Sequence, residues 1–314
     1  MSDAEKSGGE SASAWPALPL DQWKDTYATL HMWTQIVGKV RLALTPVINQ
    51  WWNVPLYVTA RGLTTSPIPY RDDPFEIWFD FLEDQLVLQL SDGSRRTMQL
   101  TARTVADFYE EFLRMIKSAG IEVKIWHMPV EVPDPIPFDK DRVHASYDPD
   151  AVRRFWRILL SVQGVFEQFR ARFIGKCSPI HFFWGSFDLA VTRFSGRRAP
   201  ERPGADRITR EAYSEEVSSV GFWPGGGSVR GAAFYSYTAP EPNGFRDWAV
   251  RPEAAHYDAQ LGEFILMYDD VRSAKSPAAT LLEFCQSTYE AGATLGKWNR
   301  EELERQITPA RKSA

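Results

Sequence analysis

Residues 75–100, FEIWFDFLEDQLVLQLSDGSRRTMQL, decide the fold class. Phe75 to Phe81 and Gln85 to Leu90 alternate apolar and polar side chains, the period-2 pattern of half-buried strands. Ser91-Asp92-Gly93-Ser94 then supplies a turn, because glycine takes the positive φ that tight hairpins need, and Arg96 to Leu100 returns as a further strand. Helices flank this antiparallel set. Upstream, Asp21 opens a helix that runs to about Leu44 and is stopped by Pro46. Its apolar residues, among them Trp23, Tyr27, Leu30, Trp33, Val37 and Val40, recur at steps of three and four. Leu56 to Ala60 reads as a strand. Downstream, Thr104 caps a helix that Gly120 ends, and Ile121 to Trp126 predicts another strand. Grouped strands between helices mean an α+β fold.

The second half repeats that order. A long helix is expected from about Pro149 to Phe173, followed by strands Ile180 to Trp184 and Asp188 to Phe194 and a loop over 195–209. Further strands are expected near 214–222, 232–238 and 262–267, and a helix over 277–295. Asn53-Val54-Pro55-Leu56-Tyr57-Val58 aligns with Cys177-Ser178-Pro179-Ile180-His181-Phe182, so the expectation is two similar halves from an internal duplication. Each half would hold a long helix, an antiparallel sheet and a second helix. The halves span 15–128 and 149–307, joined by a proline-rich connector at 129–148, with disordered tails at 1–14 and 308–314. A ligand cleft between the halves is the corresponding expectation.

Composition excludes several classes. Of 314 residues, 36 are Lys or Arg and 41 Asp or Glu, a net charge of −5, which gives no general attraction to nucleic acid or an anionic membrane. With 44% hydrophobic and 25% charged residues the chain is too apolar for disorder, yet no run approaches the ~20 apolar residues of a membrane span. The opening MSDAEKSGGESASAW lacks the apolar core of a signal peptide, and Cys177 and Cys285 stand far apart, so a reducing cytoplasm is expected. The 12 Trp, 11 Tyr and 19 Phe supply both core and pocket walls.

No phosphate-loop, dinucleotide, zinc-protease or nucleophile-elbow motif is present. Gly225-Gly226-Gly227 opens no helix and reads as a turn. Candidate chemistry therefore rests on scattered residues. His181 lies in an apolar aromatic strand, FIGKCSPIHFFWGSFD, where it is either a satisfied core histidine or a general base or ligand. His31 shares a helix face with Thr34, Gln35, Gly38 and Arg41. A solvated face is the plain reading of that stripe; lining a ligand cleft is the alternative, since Gly38 permits close approach. His144 sits on the connector, and loops carry function disproportionately. Glu216 is an acid, base or ligand candidate, or else an edge-strand charge. Arg41, Arg61 and Arg193 are candidates to grip an anionic substrate group, and Trp184 and Tyr235 to wall it. Cys177 would act as a nucleophile only with a lowered pKa.

The stretches WPALPLDQWKDTYATLHMWTQIVGKVRL, PLYVTARGLTTSPIPY, PVEVPDPIPFD and FIGKCSPIHFFWGSFDLAVTRFSGR resemble a bacterial family of unknown function, over most of the chain from Trp15 to about Trp298. The resemblance implies membership and brings no activity with it. The residues themselves suggest a cytoplasmic enzyme of lyase or hydrolase type acting on a small polar or aromatic metabolite. His181, His31, His144 and Glu216 would supply acid–base chemistry, or His181, His31 and Glu216 a divalent metal site. A non-catalytic small-molecule binder and a haem or metal protein are the alternatives.

Overall fold

Helix α1 (Leu20–Leu44) begins behind Pro19, carries Asp21 in its first turn and ends as the periodicity predicts. Its polar stripe is not solvated. His31, Thr34, Gln35, Gly38 and Arg41 are all buried, because other segments cover that face. The Gly185 carbonyl meets His31, Val130 meets Gln35, and the Thr65 carbonyl meets Arg41. The Trp184 indole lies so close to Gly38 that a Cβ there would sit 2.3 Å from the ring. Gly38 does admit a close neighbour, and that neighbour is part of the chain.

The computed structural model describes residues 13–306, so the expected tails fall outside the described residues except for Ser13 and Ala14. The chain divides into two units. The first runs through Ser161 and adds His181–Leu189 and Trp223–Ala232; the second comprises Val162–Ile180, Ala190–Phe222 and the chain from Ala233 onward.

In the first unit, β1 (Tyr57–Thr59), β2 (Gly62–Thr64), β3 (Phe75–Asp80), β4 (Gln85–Leu90) and β5 (Arg95–Gln99) form an antiparallel meander in sequence order. Phe79 faces Leu86 and Leu86 faces Met98, which keeps one apolar row in register across three strands. Helix α2 (Val105–Ser118) starts where expected: the Thr104 hydroxyl accepts the Asp107 N–H at 3.1 Å and donates to the Asp107 carboxylate. It packs on α1 through Trp33, whose ring stacks on Phe108 with centroids 4.6 Å apart. Strand β2 was not anticipated. The expected strand over 121–126 does not form; Ile121 is buried, but the Glu122 N–H goes to the Tyr70 hydroxyl instead of a neighbouring strand.

Helix α3 (Pro149–Ala171) follows the connector, and β6 (His181–Phe183) with the start of β7 (Asp188–Arg198) makes a hairpin in the first unit. Within the first unit, Leu56 and Phe182, one from each of the segments aligned in the sequence, exchange both backbone hydrogen bonds at 2.9 Å.

The second unit adds α4 (Arg207–Ala212), β8 (Glu215–Trp223), β9 (Ala233–Ala239), β10 (His256–Asp258), β11 (Glu263–Met267), α5 (Tyr268–Arg272), α6 (Pro277–Leu295) and α7 (Arg300–Leu303). The second sheet is ordered β10-β11-β9-β8-β7-β6 and is also antiparallel, so the fold is α+β. Inserting β11 between β9 and β10 departs from the plain meander of the first sheet, so the shared order of helix, sheet and helix does not extend to strand order. Strand β7 continues to Arg198, past the expected end at Phe194, with Gly196 at φ 82°. Within the expected loop, Asp206 caps α4 by accepting from Ile208 and Thr209.

Candidate active site

A cavity of about 550 Å³ lies among residues of the first unit. Tyr27, His31 and Met32 of α1 form one side and Pro129 with residues 131–136 another; Asp141, His144, Ser186, Trp223 and the glycines 225–227 complete it. Leu20, Met32, Ile136, Trp223 and three prolines make the wall mainly apolar, with Lys24 exposed among the lining residues. The glycine run is the turn expected from sequence. Gly225, Gly226 and Gly227 all have positive φ, and Gly226 and Val229 exchange backbone hydrogen bonds.

The most organised polar group in the cavity is a pair. His144 Nδ1 lies 2.7 Å from Asp141 Oδ2, and the Asp141 side chain is 1% exposed. The other carboxylate oxygen accepts the backbone N–H groups of Val143 and His144 at 3.0 and 3.1 Å, so the acid is fully engaged and cannot swing away. An acid that only accepts requires Nδ1 to carry a proton, and in the neutral imidazole the lone pair is then on Nε2. The turn is mounted on α2. The Val105 and Ala106 N–H groups, otherwise unsatisfied at the helix start, donate to the carbonyls of His144 and Asp141 at 3.0 and 2.9 Å.

His31 is a histidine of another kind. Its Nε2 donates to the Gly185 carbonyl at 2.8 Å, and its ring lies parallel to that of Tyr27. Burial pushes its pKa down to about 4 although its hydrogen bonds to backbone oppose the shift, so it stays neutral at pH 7. Burial pushes Tyr27 up to about 12 despite a hydrogen bond from Trp223, which keeps its hydroxyl protonated. Ser186 donates to the buried carboxylate of Asp188. Three non-glycine residues on or beside the cavity have left-handed backbone: Glu131 at φ 55°, Asp134 at 48° and Phe187 at 60°. Such conformations cost roughly 1–3 kcal/mol each and concentrate at functional sites.

The remaining candidates lie elsewhere. His181 is 1% exposed among the rings of Trp52, Tyr57 and Phe183 and does not line the cavity. Trp184 donates to the Val54 carbonyl at 2.9 Å. Arg41 is buried over the Tyr57 ring, and Arg61 pairs with Asp80 at 2.7 Å. In the second unit, Glu216 lies on an interior strand, not an edge, and grips Arg197 at 2.6 Å. Tyr235 stacks on Tyr237 and covers Gly221. Arg193 is wholly buried against the rings of Phe169 and Tyr289, which meet nearly at right angles. Burial pushes the Cys177 thiol up, the opposite of an activated nucleophile.

Among the described residues no three His, Cys, Asp or Glu side chains come together to hold a metal ion. The expected metal set is engaged otherwise, with His31 on a carbonyl, His181 walled by rings and Glu216 on arginine. No described helix is long and apolar enough to cross a membrane.

Sequence reasoning singled out His31 and His144 but missed Asp141, Tyr27, Ser186 and the 129–136 wall. The Asp141-Arg142-Val143-His144 spacing was the available signal, since an acid three residues before a histidine on a turn can reach its ring. No curated protein and no solved structure matches the chain. The family described as a family of unknown function, DUF5996, matches residues 15–305, and the chain belongs to it.

Proposed function

We propose that the first unit is an acid–base enzyme of lyase or hydrolase type, acting on a small, largely apolar or aromatic molecule that carries a polar group. The Asp141–His144 pair beside an apolar cavity is the observation that supports this reading. Nε2 of His144 is the proton acceptor, and Asp141 holds the tautomer and stabilises the imidazolium formed when the proton moves. His31 exchanges no proton near pH 7 and acts as a fixed polar edge. Lys24 is placed to meet an anionic group.

The test is a thermal-shift screen of small aromatic and aliphatic acids, followed by turnover assays of each hit. His144→Ala and Asp141→Asn are expected to keep binding and lower turnover about 10²–10⁴-fold. Loss of turnover in neither variant sinks the acid–base role. The second reading, a binding protein, draws on the mainly apolar, proline-rich wall, which suits capture of an apolar ligand. Hits that bind tightly and are released unchanged would favour it.

A further inference from the structure

The cavity wall at 128–137 is a closed loop with its own fastenings. The Phe138 N–H donates to the His127 carbonyl at 2.8 Å, which joins the two ends as in an Ω-loop. Pro129, Pro133, Pro135 and Pro137 stiffen the span between them, so the segment is built to move as one piece about its neck.

Two side chains of α1 hold this loop. Gln35 takes both polar groups of Val130: its Oε1 accepts the Val130 N–H, and its Nε2 donates to the Val130 carbonyl, each at 2.8 Å. One turn further on, Lys39 reaches the neck. Its Nζ lies 4.9 Å from the centre of the Trp126 ring and 5.9 Å from that of Phe138, with Trp184 at 5.6 Å. Lys39 is only 4% exposed and has no carboxylate partner among the described residues, so ring faces hold its charge. Burial lowers its pKa to about 8, and it remains mostly charged at pH 7. The outer ring, Trp126, is 64% exposed.

His31, Gln35 and Lys39 are successive turns of one helix face, and His31 Nε2 lies 3.1 Å from Gln35 Nε2, a close contact and not a hydrogen bond, since both nitrogens are donors. The residue that lines the cavity therefore touches the residue that fastens its wall.

We propose that residues 128–137 are a gate over the cavity, with Gln35 as its latch and Lys39 as the clasp at its neck. Both are positioning residues. The functional meaning of the gate rests on the cavity being a ligand site, but the gate itself is tested without ligand.

Peptide-resolved hydrogen exchange on the full chain at pH 7 reads the opening directly. Amides of 128–138 should exchange by local opening, faster than those of α1 and α2 and insensitive to low urea. Gln35→Met removes two hydrogen bonds and should speed exchange of that peptide at least about tenfold while leaving α1 and α2 unchanged. Lys39→Met keeps the bulk and removes the charge, and should speed Phe138 first; it carries the test if the first variant fails to fold. Exchange of 128–138 in step with α1 and α2 in the wild type, or uniform acceleration in both variants, overturns the gate. A gate that opens in a protein that binds nothing in the screen would leave the gate standing and the functional reading fallen.

Discussion

At the residue scale, Arg193 shows how a charged side chain can be structural. Its guanidinium carbon lies 3.4 Å from the centre of the Phe169 ring and 4.2 Å from that of Tyr289, and one nitrogen donates to the Phe169 carbonyl. Nε and Nη1 meet no acceptor among the described residues, and burial lowers the pKa to about 10. A buried cation without a carboxylate contributes through its flat, polarisable bulk while its desolvation opposes folding. Arg193→Met preserves the bulk and removes the charge. Its urea midpoint should correspond to stability within about 1 kcal/mol of wild type, or above it. Arg193→Ala empties the space beside the rings and should cost about 2–4 kcal/mol. If methionine proves as damaging as alanine, the guanidinium is needed for its charge, and the stacking account is wrong.

At the scale of elements, the start of α2 does two things at once. Thr104 satisfies the Asp107 N–H, and the next two N–H groups hold the carbonyls of His144 and Asp141. Thr104→Ala should therefore cost about 1 kcal/mol of stability, the usual worth of a cap. It should also loosen the acid–histidine turn, which hydrogen exchange at 142–145 would report; lost stability with an unchanged turn would separate the two roles. This element and α1, α3 and α6 were legible in the sequence because a helix declares itself through local period and local caps. Strands β2 and β10, each three residues long, carry too little alternation to be read. Residues 121–126 failed for the opposite reason. Ile121 to Trp126 has strand-like side chains, but a strand exists only through a partner, and pairing is not written in the segment itself.

At the scale of the whole molecule, the candidate site was only half legible, and Gln35 shows why. It meets Val130 at a separation of 95 residues, and His31 meets Gly185 at 154, so the burial of their helix face is a property of distant chain and not of the helix pattern. That same burial has a consequence for stability against acid. An unfolded chain protonates His31 near its ordinary 6.5, whereas the folded chain resists protonation until about 4. The unfolded state thus binds more protons between those values, and stability must fall as pH drops from 6.5 towards 4. Above 6.5 this contribution is fully present. The span of the shift sets an upper limit of about 3 kcal/mol on the loss. His31→Gln keeps a donor for the Gly185 carbonyl but cannot take up a proton. Melting temperatures of wild type and His31→Gln, measured from pH 7.5 to 4.5, should converge as the pH falls, because only the wild type loses the contribution. Parallel curves over that range would mean that folded His31 takes up its proton at the same pH as the unfolded chain, and would overturn the account of a histidine held neutral by burial.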